Sequence, residues 1–150
     1  MKRFRLLIPD RLFDEMIAHA HREHPLECCG LLAGQREGGL VTARYPLVNI
    51  RASETEFLSD PQSMFAAMRQ MRADGTTILA VYHSHPSSAP IPSRKDCEQR
   101  YADDVACVII GMKEVVTTRV WWLSEASYFE AEWCIFNQKR GESTRRVVID

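Results

Sequence analysis

The spacing of apolar positions along the chain predicts a mixture of helices and strands. Phe4 to Ile8 is a short apolar run that reads as a first strand. From Asp10 to about His24, Leu12, Phe13, Met16, Ile17 and Ala20 recur at helical spacing. A helix with one buried face is expected there, capped by Asp10 and ended by Pro25. Cys29 to Ala33 reads as a strand, Gly38-Gly39 as a turn and Leu40 to Val48 as the next strand. Asn49 to Ser59 is polar and irregular. Asp60 as N-cap and Pro61 at the first helical position open a second helix, and Gly75 closes it. Met64, Phe65, Met68 and Met71 are its expected core-facing stripe.

Thr77 to Tyr82 is apolar or β-branched on both alternating faces, which predicts a strand covered on both sides and central in a sheet. A loop with Pro86, Pro90 and Pro92 follows, and Ser93 is expected to cap a helix running to about Ala102. Val105 to Ile110, Val115 to Leu123 and Tyr128 to Phe136 read as three further strands. The pattern is that of an α/β protein with a mixed or antiparallel sheet and helices packed on it. Neither a repeat nor a long linker interrupts it, so residues 1–150 are expected to form a single domain.

Composition narrows the functional classes. A chain of 150 residues can bury a core without staples. The formal net charge of -1 gives no footprint for nucleic acid or an anionic membrane. Arg140, Arg145 and Arg146 make the tail locally basic, diluted by Glu142 and Asp150. Val147-Val148-Ile149 is compatible with a late strand or a partner contact. Leu6-Leu7-Ile8 stops at Pro9 and is too short for an export signal, and Val105 to Ile110 is too short to span a bilayer. A cytoplasmic protein is expected; its oligomeric state leaves no mark in the sequence. The cysteines, Cys28, Cys29, Cys97, Cys107 and Cys134, are odd in number and lack a Cys-x-x-Cys pair, so they read as reduced, buried thiols.

The segment that carries chemistry is Tyr82-His83-Ser84-His85-Pro86, followed by Ser93-Arg94-Lys95-Asp96. Side chains two apart on a strand point to the same side, so His83 and His85 can reach one ion. Asp96 falls in the first turn of the next helix, and the proline loop is long enough to fold it back. Two histidines and one aspartate leave a fourth position open, the mark of a catalytic zinc site. Asp96 three residues after Ser93 also resembles a capping box, a purely structural arrangement. A second His-x-His, His19 and His21, lies in the first helix, where the two side chains diverge by about 200°. They are expected to be solvent-facing or at the helix end. Such a site needs a carboxylate to move a proton. Candidates are numerous; Glu27 stands out because it precedes the apolar strand Cys28 to Ala33, where partial burial raises a carboxyl pKa.

These residues resemble a known family. His83-Ser84-His85-Pro86 with Ser93 and Asp96 is similar to the JAMM motif of MPN-domain metallopeptidases. The run His24 to Gly34, containing Glu27, resembles that family's upstream segment, and Asn49 with Phe57 to Pro61 its middle region. The likeness extends from about Ile8 to Ile110. It implies a mixed, curved sheet flanked by helices, like that of cytidine deaminase, although the deaminase His-x-Glu and Pro-Cys-x-x-Cys signature is absent. It implies that His83, His85 and Asp96 hold zinc, that Glu27 is the general acid/base and that Ser93 stabilises the oxyanion. The chain lacks the long insertions of the eukaryotic deubiquitinases and resembles the compact prokaryotic form. That likeness implies a ubiquitin-like sulfur-carrier protein as substrate, cleaved after its C-terminal Gly-Gly to release cysteine or another amine. Three other readings stand beside it: a zinc hydrolase of a small amide, a non-catalytic interaction module, and a thiol protease using Cys28, Cys29 or Cys97.

Overall fold

The computed structural model describes residues 3–137 and the backbone of 142–146. Strand β1 (Leu6–Pro9) runs directly into helix α1 (Asp10–Glu23). Leu12, Met16, His19 and Ala20 form the buried line of α1, with Phe13 and Ile17 packed beside it. Pro9, rather than Asp10, stands at the N-cap; Asp10 is already helical and its carboxylate accepts the Arg11 N–H. Strands β2 (Cys29–Gly34) and β3 (Val41–Leu47) are joined by a turn in which Gly38 and Gly39 take φ of 84° and 66°, values that favour glycine.

Helix α2 (Pro61–Asp74) begins as its sequence dictates: the Asp60 side chain accepts the Ser63 N–H, and Gly75 ends the helix with φ 69°. Its buried line is Ala67 and Met71, with Met64 partly buried. Phe65 and Met68 stay in solvent, 66% and 38% exposed, so half of the expected methionine and phenylalanine stripe is surface. The cause is angular. At about 100° per residue, 64, 67 and 71 fall within about 60° of one another, Met68 lies about 70° from the centre of that face and Phe65 about 130° from it.

Strand β4 (Thr77–His85) is central, as its two-sided apolar pattern predicts. The short helix α3 (Arg94–Glu98) then leads to β5 (Ala106–Gly111), β6 (Thr117–Leu123) and β7 (Tyr128–Glu130). The main sheet has the order β3-β2-β4-β5-β6-β7, with β4 and β5 parallel and the other neighbours antiparallel. Helix α3 is shorter than expected, because the chain leaves it at Gln99 and Arg100 folds back to donate to the Cys97 carbonyl.

The expected strand Tyr128 to Phe136 is broken. Beyond β7 the Ala131 N–H still bonds to Val120, but the Glu132 carbonyl accepts from Leu6. The chain thereby crosses into a second sheet, of order β1-β8-β9, where β8 is Trp133–Asn137 and β9 is Glu142–Arg146. Val147-Val148-Ile149 lies outside the described residues. Among the described residues no helix is long and apolar enough to cross a membrane.

Alternation along β4 divides the molecule. Ala80 and Tyr82 join the core under α1, whereas Val81 faces the smaller cluster beneath α2. Gly30 opposite Tyr82 has no room for a side chain: a Cβ there would lie 2.2 Å from the tyrosine ring.

Candidate active site

His83 and His85 end β4 on the same side as Val81, as strand alternation requires. Both are buried. Asp96, in the first turn of α3, is brought back onto them by the proline loop. The His83 and His85 Nε2 atoms are 3.1 Å apart, and Asp96 places Oδ1 3.3 Å from one and Oδ2 3.2 Å from the other. Zinc bonds of about 2.0–2.1 Å in a tetrahedron set the ligand atoms about 3.3 Å apart. The two imidazole nitrogens, and each one's nearer Asp96 oxygen, therefore stand close to the edge length of a zinc coordination shell, and the three groups could hold one ion.

The proton arrangement agrees. The His85 Nδ1–H donates to the Ala89 carbonyl at 2.9 Å, which aims Nε2 at the other two groups. Burial lowers the His85 pKa, but the bonds to Asp96 and Ala89 raise it further than burial lowers it, and the Nε2 proton shared with Asp96 is the one a metal would displace. His83 is held neutral, because burial pushes its pKa down more than Asp96 raises it. Burial pushes the Asp96 carboxyl up, but bonds from His83, His85 and the Ser93 N–H outweigh it and hold the group ionised. A histidine–histidine–carboxylate set of borderline-soft nitrogen donors and one hard oxygen suits zinc.

Glu27 enters from the start of β2 and is 5% exposed. Burial raises its pKa to about 7, with His85 lowering it and Asp96 raising it. Its backbone is fixed on both sides: the N–H donates to Ser53, and its carbonyl accepts from the Asn49 side chain. Ser93 caps α3, its Oγ accepting the Asp96 N–H at 3.1 Å while Asp96 returns a bond to the Ser93 N–H. The capping box and the ligand role are thus one arrangement: the cap aims the carboxylate.

Several supporting residues were not read from the sequence. Ser84 points away from the imidazoles and its Oγ accepts the Cys28 N–H at 2.8 Å, tying the Glu27 end of β2 to the histidine strand. Its place between two histidines on an alternating strand was the available signal. Phe57 stacks on His83 with ring centroids 4.7 Å apart. The proline loop is anchored at Pro90, whose carbonyl accepts from the Trp121 indole at 2.9 Å. Gly111 makes that approach possible, since a Cβ there would lie 2.5 Å from the Pro90 ring.

His19 is a correction. It is neither solvent-facing nor at the helix end but 4% exposed, with Nδ1 2.7 Å from the Tyr82 hydroxyl. Arg44 donates to the same oxygen at 2.9 Å, so the Tyr82 O–H donates onward to His19. This network lies on the face of β4 opposite the zinc-type cluster. The five cysteines are buried, and burial raises the thiol pKa of Cys28 to about 11 and of Cys29 to about 12. Thiolate chemistry at either is disfavoured.

The family of prokaryotic homologues of the JAB domain matches residues 9–124. The chain belongs to that family. A probable TtuB-protein conjugate cleaving protease of Thermus thermophilus is 39% identical to this JAB chain over 95 residues, 63% of the chain and 62% of that relative. The match thus spans less than two thirds of the Thermus protein. The CysO-cysteine peptidase of Mycobacterium tuberculosis is 30% identical over 109 residues, 73% of this chain and 75% of its own. The solution structure of a Desulfitobacterium hafniense protein superimposes with a TM-score of 0.80 at 29% identity, covering 89% of this chain and 94% of that one. The mixed sheet flanked by helices is thus the JAB fold, and the histidine cluster at the end of β4 lies within the matched region.

Proposed function

We propose that this JAB domain is a zinc-dependent hydrolase of an amide bond at the C-terminal Gly-Gly of a ubiquitin-like sulfur-carrier protein. The observation that carries the reading is the convergence of His83, His85 and Asp96 to within reach of one ion at the end of β4. When bound, zinc supplies a Lewis acid for the scissile carbonyl and a water that is nucleophilic near neutral pH. Glu27 moves the proton: a carboxyl group with a pKa of about 7 accepts it from the attacking water and delivers it to the leaving amine. Ser93 already accepts from Asp96 through Oγ, which leaves its O–H to donate to the developing oxyanion. Phe57 and Asn49 hold the surrounding loop against His83 and Glu27.

Two relatives support the substrate class, one named for TtuB–protein conjugates and one for CysO–cysteine. A Gly-Gly tail suits a narrow approach because it carries no side chains and can pair along a strand edge. We read residues 1–150 as one domain, and the five buried thiols as those of a cytoplasmic protein. The test is metal analysis joined to cleavage of a Gly-Gly-tailed carrier fusion. The purified protein is expected to hold about one zinc per chain. Chelation should stop cleavage and zinc should restore it. Cleavage that survives chelation, or survives Asp96→Asn, overturns the proposal.

A further inference from the structure

Glu27 lies just before the ladder between β2 and β4, whose first pair is Cys29 with His83. The peptide unit that joins Glu27 to Cys28 is held at both ends by side chains. Its carbonyl accepts from Asn49 Nδ2 at 3.0 Å, and its N–H donates to Ser84 Oγ at 2.8 Å. The preceding peptide is held through the Glu27 N–H, which donates to the Ser53 carbonyl at 2.8 Å. A peptide unit is planar, so fixing both units that flank a Cα fixes the direction in which its side chain leaves.

The two anchors come from different elements. Ser84 is fully buried and stands between the two imidazoles on β4, with its side chain on the other face. Its N–H donates to the Cys28 carbonyl at 3.2 Å, so backbone and hydroxyl both grip the residue after Glu27. Asn49 spends its whole amide. Nδ2 also donates to the Glu56 carbonyl at 3.1 Å, and Oδ1 accepts from the N–H groups of Arg51 at 3.1 Å and Leu58 at 3.0 Å. Two donors and a doubly accepting oxygen exhaust the group. An aspartate of the same shape would keep the Oδ1 pair and set an oxygen against two carbonyls. Buried peptide groups need partners in any protein. Here the partners belong to the strand that bears the imidazoles and to the loop whose Phe57 stacks on His83, so the place of Glu27 is tied to that of His83.

We infer that Ser84 and Asn49 are positioning residues for proton transfer: by clamping the Glu27–Cys28 peptide they aim the Glu27 carboxyl at the cluster of His83, His85 and Asp96. The inference rests on the reading of Glu27 as the general base and adds the residues that hold it in place.

Two measurements on the full chain test it. Ser84→Thr and Ser84→Val share a shape and differ only in the hydroxyl. On a Gly-Gly-tailed carrier fusion, Ser84→Val should lower kcat on the order of 10- to 100-fold, the cost of misplacing a reacting group by about 1 Å, with KM and zinc content unchanged. Ser84→Thr should keep the parent rate, and Asn49→Asp should fall as Ser84→Val does. Added to Glu27→Gln, neither Ser84→Val nor Asn49→Asp should lower kcat further, because the group they aim is gone. The second measurement needs no turnover. With cobalt in place of zinc and glutamate labelled with carbon-13 in its carboxyl group, the paramagnetic shift of the Glu27 carboxyl carbon reports its position relative to the metal. The shift should change in Ser84→Val and Asn49→Asp and stay as in the parent in Ser84→Thr. If the extra methyl groups at position 84 prevent folding, Ser84→Ala takes the place of Ser84→Val. An equal loss of kcat with and without Glu27→Gln overturns the inference, and so does an unmoved carboxyl carbon; the bonds then serve folding alone. If the carbon moves as expected while the parent cleaves no fusion, the positioning stands and the Gly-Gly reading falls.

Discussion

Glu27 and His19 show how burial sets the chemistry of single residues. Glu27 is buried beside Asp96 and its pKa rises to about 7, so its carboxyl exchanges a proton near neutrality. Glu27→Gln keeps the size and the backbone bonds and removes only the titration. A drop in kcat of about 10²- to 10⁴-fold is expected with zinc content unchanged. Zinc lost together with activity would show that Glu27 supports the metal instead. His19 is buried, and burial, then Arg44 and Arg22, lower its pKa to about 4. In the unfolded chain it titrates near 6.5. Between those values the unfolded state holds more protons, so this contribution to stability is complete above about pH 6.5 and is lost as the pH falls towards 4. The full loss is on the order of 3 kcal/mol. Gln at position 19 can accept from Tyr82 but cannot titrate. Urea midpoints of the protein and of His19→Gln should therefore differ by a constant above pH 7 and diverge from that constant below it. A difference that does not vary with pH would show that His19 is not held neutral by the fold.

At the scale of elements, the proline loop between β4 and α3 decides where Asp96, the proposed third ligand, comes to lie. It is pinned at Pro90 by the Trp121 indole and by the absence of a side chain at Gly111. Gly111→Ala places a methyl group 2.5 Å from the Pro90 ring, so the loop must shift and carry α3 with it. Zinc affinity, measured by competition with a chromophoric chelator, should fall roughly 10- to 100-fold, the usual effect of disturbing the support of a ligand. Unchanged affinity would mean that Asp96 is positioned by its capping box alone. Much of this scale was readable beforehand. Asp60-Pro61 and Gly75 marked both ends of α2 because capping is local chemistry, and β4 was marked as central by its two apolar faces. The misses are non-local. Tyr128 to Phe136 is uniformly strand-forming, and nothing in it announces that Leu6 will capture the Glu132 carbonyl and split it between two sheets. The burial of His19 depends on Tyr82, a residue 63 positions away. Phe65 and Met68 are expected inward by spacing alone, because helical periodicity locates a stripe but not its centre.

For the whole molecule, zinc held by the proposed ligands would couple metal to stability. His83 and His85 belong to the central strand, Asp96 to α3, and Ser84 links that strand to the segment bearing Glu27. Zinc that binds only the folded chain adds about 2.7 kcal/mol at 100 times its Kd. For a chain of this length that is a rise in Tm of roughly 5–10 °C. Calorimetry with zinc and with chelator should show it, and Asp96→Asn should abolish it; an equal rise in that variant would place the metal elsewhere. The clustering of His83, His85 and Asp96 is legible in the sequence because a strand, a loop of fixed reach and a helix start bring the three side chains together in nearly any fold that keeps them. The place of Glu27, the proposed general base, is not legible by spacing, since it reaches the site through the pairing of β2 with β4 rather than through the chain.

That pairing carries a further consequence. Tyr82 and Ser84 project to one side of β4 while His83 and His85 project to the other. Sliding the strand by a single position would turn both imidazoles into the oily layer beneath α1 and strand the tyrosine ring among the ligands. The same force that drives the chain out of water thus proofreads its chemistry: a molecule with misaligned ligands is also a molecule with a ruined interior, and it has no stable form in which to persist.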